Sequence, residues 1–452
     1  VGEQLHQPAE EQMKRLTCRA AAAIVIFAAA SRADAIPAFA RKTGMSCTGC
    51  HTAWPLLNQV GQNFRDEGYQ FNLGKDEPNT LPPAYVPLAV RTFQAYEMTR
   101  ATNQESAGGP VTATAGGVPF GGIDILAAGT VARDISYLVV LAGFVDGEPG
   151  AVESGWLRFN RIRGSPWFNV KVGKLELDQP ASSHRPIAHT VGFAAYDPFP
   201  FSSVGFAMGD NQVGVEVDGH NARSSTRYAI SLTSANGAEG MSRGLWSAPT
   251  LYGHLQHSYD LGNETLRWVR VGVLGSVGWW PTAFYADPAG DPIPGTGTAH
   301  KRFTRLGGDL SFILGNPATP AHVTLAFIRG QEEAGLGGVD PAGLDLSLRS
   351  NSFNGGFAEL AWVPWAEDRE NATPWVLFAR VDAVRYQRGA GDLTGFTAGA
   401  RHYVALGPRA SAAIHLEVHA DQVKDTGAPD PLSGQPRNVD SLAVVAGVDF
   451  AF

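Results

Sequence analysis

From about Val86 onward the chain repeats one unit, a run of alternating polarity followed by a break rich in Gly, Pro or Asp. Phe168, Val170 and Val172 share one face, and Asn169, Lys171 and Gly173 share the other. Val213, Val215 and Val217 oppose Gln212, Gly214 and Glu216. Val269, Val271 and Val273 oppose Trp268, Arg270 and Gly272, and Val323, Leu325 and Phe327 oppose His322, Thr324 and Ala326. A period of two is that of a β-strand with one apolar and one mixed face. The pattern predicts sixteen such segments, near 86–98, 122–134, 135–146, 153–163, 167–178, 211–219, 225–233, 250–259, 266–277, 303–314, 321–329, 351–363, 374–386, 393–404, 409–421 and 441–452. An even number of strands of about ten residues is the pattern of a bacterial outer-membrane barrel, apolar toward lipid and polar toward the lumen.

The connections test this. Such barrels alternate short periplasmic turns with long external loops. Here the even-numbered connections are short, around Arg133-Asp134, Gly164-Ser165-Pro166, Asp218 to Ser224, Gly262-Asn263, Gly315 to Pro320 and Gly407-Pro408, with 364–373 somewhat longer. Most odd-numbered ones are long, namely 99–121, 179–210, 234–249, 278–302, 330–350 and 422–440, whereas 147–152 and 387–392 are short. This parity puts both ends of the barrel in the periplasm. The final Gly447-Val448-Asp449-Phe450-Ala451-Phe452 ends on the aromatic-x-Phe pattern of an outer-membrane insertion signal. Trp279, Trp280, Trp362, Trp365 and Trp375 fall near strand ends, where aromatic girdles sit.

Composition agrees. Charged residues make up 17% of the chain, against roughly 25% in soluble domains, and 53 of 452 residues are Gly. Composition alone leaves a soluble periplasmic β-protein open. A net charge of −8 without a basic stripe argues against nucleic acid. At the other end of the chain, Met13-Lys14-Arg15-Leu16-Thr17-Cys18-Arg19 is basic, Ala20 to Ala30 is apolar, and Ala33-Asp34-Ala35 has the small-x-small form of a signal-peptidase site. The apolar run falls short of the roughly twenty residues that span a bilayer. Residues 1–35 therefore read as a secretory signal peptide with an upstream extension, and cleavage before Ile36 removes Cys18. The charges removed balance, and no disulfide framework remains.

The two remaining cysteines stand in Cys47-Thr48-Gly49-Cys50-His51. Two residues between the thiols let both sulfurs reach the vinyl groups of one porphyrin, and the adjacent histidine then lies under the iron. The spacing reads as a c-type haem attachment. A thioredoxin-like pair would want a βαβ setting and a zinc site a second ligand pair, and the sequence offers neither. The expected cofactor is one covalent haem c, held by Cys47 and Cys50, with His51 as an axial ligand of the iron. The monohaem cytochrome c segment, 36–80, is below the size at which a domain buries an adequate core unaided. Its one predicted helix, Trp54 to Glu67, leaves much of a porphyrin uncovered. A barrel of about sixteen strands encloses an aqueous lumen. The expected fold is therefore all-β, a transmembrane antiparallel barrel over 86–452 whose lumen the small N-terminal helical segment plugs. A tethered periplasmic head is the alternative.

Arg158, Arg227, Arg270, Arg305, Arg380 and Arg401 fall on the mixed faces, with Glu216, Asp309, Asp382 and Glu417 as partners. Most would form ion pairs lining a channel, and one or two suit haem propionates. For the second axial position the candidates are His184 and His189, in a loop able to fold inward, His415 and His419, which share a face with Glu417, and the thioethers Met98 and Met208. Met45 is too close to Cys47 to reach the opposite face.

Ile36-Pro37-Ala38-Phe39-Ala40-Arg41-Lys42-Thr43-Gly44-Met45-Ser46 leads into the motif, and Thr52-Ala53-Trp54-Pro55-Leu56-Leu57-Asn58, Gly61, Phe64, Gly68 and Tyr69 follow it. This stretch resembles the start of the outer-membrane fused monohaem cytochrome–porins, whose best-known members are iron oxidases of iron-oxidising bacteria. The resemblance is specific over the start of the mature chain and one of architecture beyond it. It implies an Fe(II)-oxidising electron-transfer oxidoreductase of the cell outer membrane, embedded in lipid. Electrons from extracellular Fe(II), or another donor, would pass through the haem to a periplasmic c-type cytochrome or cupredoxin-like acceptor. A haem-plugged transport porin and a sleeve around a multihaem conduit are the competing readings. Asp287, Asp291, Glu332, Glu333, Asp340 and Asp345 are expected in external loops, solvating them or concentrating Fe²⁺ near the mouth.

Overall fold

The computed structural model describes residues 37–45, 47–71, 87–103, 110–118, 122–145, 148–189, 192–196, 206–234, 249–263, 265–281, 285–286, 292–293, 300–316, 318–332, 351–364, 375–387, 392–406, 411–424 and 438–451. The signal-peptide expectation, Trp365, and the loop acids Asp287, Asp291, Glu333, Asp340 and Asp345 lie outside them.

Sixteen antiparallel strands close into one barrel. They are β1 (Leu88–Asn103), β2 (Val111–Gly117 continued by Ile123–Ala132), β3 (Ile135–Val145), β4 (Glu148–Pro149 continued by Val152–Phe159), β5 (Asn169–Leu175) and β6 (Gln212–His220). Then follow β7 (Thr226–Ser234), β8 (Pro249–Asp260), β9 (Leu266–Pro281), β10 (His300–Leu314), β11 (Ala321–Glu332) and β12 (Asn351–Trp362). The last four are β13 (Trp375–Tyr386), β14 (Asp392–Leu406), β15 (Ser411–Lys424) and β16 (Val439–Ala451). Each pairs with its neighbour in sequence, and β16 closes on β1 through Val439↔Asn103 to Ala451↔Arg91. All sixteen predicted segments are strands. The connection predicted over 99–121 is partly strand instead. β1 runs on to Asn103, and Val111–Gly117 pairs with it. Those polar, small residues lack apolar alternation because Val111–Gly117 is exposed on both faces.

The alternation is inside-out relative to a soluble protein. Val213, Ile230, Leu255, Val273, Leu306, Phe327, Val381, Phe396, Ile414 and Leu442 face outward and are exposed. Gln212, Glu216, Ser231, Gln256, Asp309, Thr397, Arg401 and Glu417 are buried inside. A closed barrel with an exposed apolar belt and a polar interior satisfies every strand's backbone within itself and presents hydrocarbon to lipid. Trp279, Trp362 and Trp375 are exposed near strand ends, at girdle positions. The protein is an outer-membrane β-barrel of porin-like architecture.

Two inserts occupy the lumen. The loop between β5 and β6 folds inward, as the sequence allowed. Its Ile187, Ala188, Phe193, Tyr196, Phe206 and Met208 are buried against inward residues of β8–β13. The second insert is the N-terminal segment, built of α1 (Pro37–Thr43), a small hairpin (His51–Ala53 with Leu56–Leu57) and α2 (Gln59–Asp66). The helix predicted from Trp54 starts later. Trp54 and Pro55 form the tip of the hairpin, and Asn58 then caps α2, its side chain accepting from Gly61 N at 3.0 Å.

Candidate haem site in the barrel lumen

Asn58 joins the motif to the helix. The side chain that caps α2 also donates to the carbonyls of Thr48 (3.3 Å) and Gly49 (3.1 Å), inside the Cys-x-x-Cys turn. A Cβ at position 61 would overlap the Cys50 carbonyl, so only glycine lets α2 approach so closely. Gly68, at φ +68°, ends the helical region and abuts Asn160 of the barrel wall. Phe39, Phe64, Tyr69 and Phe71 form the segment's own aromatic cluster, and Tyr69 stacks on Trp156 of β4 at 6.0 Å.

Polar contacts fix this insert to many strands. Arg158 donates to the Asp66 carbonyl at 2.9 Å. Arg227 lies 3.8 Å from the Asp66 carboxylate, and Gln59 donates to Arg223 O at 3.2 Å. Arg401 (3.2 Å) and Tyr403 (2.7 Å) both donate to the Trp54 carbonyl. The Arg401 guanidinium also sits over the Trp54 ring at 5.1 Å. Arg158, Arg223 and Tyr403 all lie near short turns or strand ends, so the segment plugs the short-turn end, which is periplasmic in outer-membrane barrels. The lumen, rather than a tethered head, houses it.

Cys47, Cys50 and His51 all line one cavity of about 1480 Å³ between the insert and the wall. That exceeds the roughly 300–1,000 Å³ of ordinary small-molecule sites. Neither cysteine is in a disulfide; Cys47 is buried and Cys50 half-buried. Burial pushes the Cys50 thiol up. Burial lowers His51 to about 4, although the Pro55 carbonyl beside the ring opposes this. The imidazole is therefore neutral at pH 7, the form that ligates a metal, and its buried Nδ1 has no hydrogen-bond partner. Two thiols, a neutral imidazole and a large cavity in common fit a covalently attached haem.

Of the six arginines predicted inward, Arg158, Arg227 and Arg270 line this cavity. Arg158 pairs with Asp218 and Arg227 with Asp178. Arg270 has no carboxylate partner among the described residues. It donates to Pro180 O (3.3 Å) and Ser311 Oγ (3.1 Å), and its buried Nε has none. Arg305, Arg380 and Arg401 lie elsewhere, near Glu332 (2.5 Å), Asp382 (2.6 Å) and Asp449 (3.0 Å). Glu332, read as a loop acid, is thus buried and paired. The other proposed carboxylate partners engage different groups. Asp309 meets His254 (2.9 Å), Glu216 meets Lys171, and Glu417 meets His415 (2.9 Å).

Of the candidates for the second axial position, only His184 lines the cavity. His189 and His415 converge instead on Asp449 and Arg401, with His189 Nε2 2.9 Å from Asp449. His419 bonds Thr397 and Asp421. Met208 is buried in the apolar cluster of the inward loop, and Met98 is exposed. Two cavity histidines were not singled out from sequence, His220 and His322.

No family model and no curated protein matches this chain. Among solved structures it is similar to the anion-selective porin from Comamonas acidovorans, with 8% identity over 80% of this chain and 100% of that one, at a TM-score of 0.49. The trimeric form of OmpT, an outer membrane protein of Vibrio cholerae, is 11% identical over 79% and 99% at 0.42. OprB from Pseudomonas putida is 10% identical over 80% and 94% at 0.44.

Proposed function

We propose that this protein is an outer-membrane electron-transfer oxidoreductase that carries one haem c in its lumen and oxidises extracellular Fe(II). The observation that supports this most is the convergence of Cys47, Cys50 and His51 on a single luminal cavity at the short-turn end. The resemblance of 36–69 to the cytochrome–porins supplies the donor. Cys47 and Cys50 hold the porphyrin by thioether bonds, and His51 ligates the iron. When bound, haem c supplies a one-electron carrier at a fixed place in the barrel. Each Fe(II) that becomes Fe(III) releases one electron, which leaves toward a periplasmic c-type cytochrome or cupredoxin-like acceptor.

The chain's own residues position this site. Arg401 and Tyr403 fix the Trp54 carbonyl, three residues beyond His51, and Asn58 fixes the turn between the cysteines. Arg270 lines the cavity and makes no direct ion pair among the described residues, which suits it to a propionate.

Stopped-flow mixing of the purified oxidised protein with Fe(II) tests the reading. The haem spectrum is expected to become that of the reduced form. A covalent haem that stays oxidised removes Fe(II) as donor, and a chain exported without covalent haem removes the whole proposal. In intact cells, a donor unable to cross the outer membrane should reduce the haem. The polar lumen favours one competitor, a transport porin, and a large bilayer current with haem attached would support that instead.

A further inference from the structure

We infer that His322, on the barrel wall, is the second axial ligand of the haem iron, opposite His51; this rests on the haem reading above. His322 stands on β11, one residue into the strand from the short-turn end. Its register partners are Ile313 on β10 and Ala361 on β12. Ala361 belongs to the same buried cluster as Ala53, two residues beyond His51, which Trp54 and Leu56 also join. Side chains of directly opposed residues lie on one face with Cβ atoms about 5 Å apart. His322 therefore points into the lumen beside a wall residue that shares a buried cluster with the haem motif's own hairpin. His322 and His51 line the same cavity.

The side chain is otherwise unexplained. Its Nε2 is buried with no hydrogen-bond partner, and no hydrogen bond to the ring exists among the described residues. Its charged neighbour is the guanidinium of Arg267, which offers no acceptor to the ring. An imidazole nitrogen without a hydrogen-bond partner, on the lining of a cavity that a porphyrin fits, is what an iron ligand requires.

The other cavity histidines are engaged. His184 Nδ1 lies 3.4 Å from Glu153, and the ring belongs to the inward loop. His220 Nδ1 is 2.9 Å from Asn221 O, and its Nε2 faces Glu67 at 4.0 Å. Both also have a buried Nε2 without a hydrogen bond, so they are the controls. Among these three, His322 alone combines that feature with no carboxylate partner among the described residues and with a register partner, Ala361, in the buried cluster of the motif's hairpin.

The test is spectroscopic and uses the purified, haem-loaded protein. The wild-type haem should be low-spin in both oxidation states by absorption and electron paramagnetic resonance, and the ferrous form should resist carbon monoxide. H322A should lose the low-spin signal and bind carbon monoxide at once. H322M should stay low-spin, gain the near-infrared sulfur-to-iron charge-transfer band, and rise in reduction potential. H184A and H220A should leave the spin state unchanged. If H322A does not fold, H322M and the wild-type response to carbon monoxide still decide. An attached haem whose spectrum ignores both His322 variants overturns the assignment, as does a high-spin shift in either control. A wild-type haem that is already high-spin, with water opposite His51, overturns it too. A chain without covalent haem overturns the functional reading itself, a different and recognisable failure.

Discussion

At the scale of single residues, the site depends on two side chains and one missing side chain. Asn58 links the motif turn to α2, and Gly61 lets them touch. Gly61→Ala places a methyl on the Cys50 carbonyl, so the helix must move. The expected loss is about 1–3 kcal/mol, read as a lower thermal midpoint of the insert together with reduced haem incorporation. An unchanged midpoint would mean that the helix yields freely. Arg401 donates to the carbonyls of Trp54 and Ile187 and lies 3.0 Å from Asp449. Arg401→Met removes the donor and leaves the partly buried Asp449 carboxylate without its cation, which costs about 1–3 kcal/mol. Asp449→Asn in the same chain should recover part of this; no recovery would show that Arg401 matters through the Trp54 and Ile187 carbonyls. The proposed haem-binding residues Cys47, Cys50 and His51 stand together in the sequence, so that candidate could be drawn there. The proposed second ligand, His322, could not, because nothing in its own stretch distinguishes it from other inward residues of β11. Its register against Ala361, set by tertiary structure, is what singles it out.

At the scale of elements, the sixteen strands were readable because each must show apolar atoms to lipid on every second residue, a constraint that survives without homologues. The helix of the insert was misplaced because its start is decided by hairpin pairing between His51–Ala53 and Leu56–Leu57, a contact that propensity does not encode. The inserts share a pH response. Burial lowers His189 from 6.5 to about 4. The folded chain keeps it neutral where the unfolded chain is protonated, so its contribution falls as pH drops from 6.5 toward 4. Burial would raise Asp66 and Asp178, but Arg227 beside both holds them below the ordinary 3.8. Their contribution is present above that value and is also lost on acidification. Between pH 7 and pH 4.5 only the histidine effect operates, so the inserts should melt at lower temperature at pH 4.5 than at pH 7, seen in tryptophan fluorescence, with a further fall below pH 3.8 as the aspartates protonate. Equal midpoints would show that these groups remain solvated.

At the scale of the molecule, the barrel is a wall shared by two fillings, the inward loop and the N-terminal insert. A sixteen-stranded barrel of this kind otherwise holds an aqueous channel. Replacing 181–207 with a short turn should raise single-channel conductance in planar bilayers, and removing 37–71 as well should raise it further while the barrel still migrates as a folded, heat-modifiable band. A wild-type conductance equal to that of the doubly emptied barrel would contradict the filled lumen.

The burial of Cys47 has one more consequence. Once docked, the thiol is buried and faces only the cavity between the insert and the barrel wall. The proposed bonding of a porphyrin to that sulfur would therefore belong before docking, while the segment is still outside the closed sheet. On that proposal the stopper would be finished before the staves close around it.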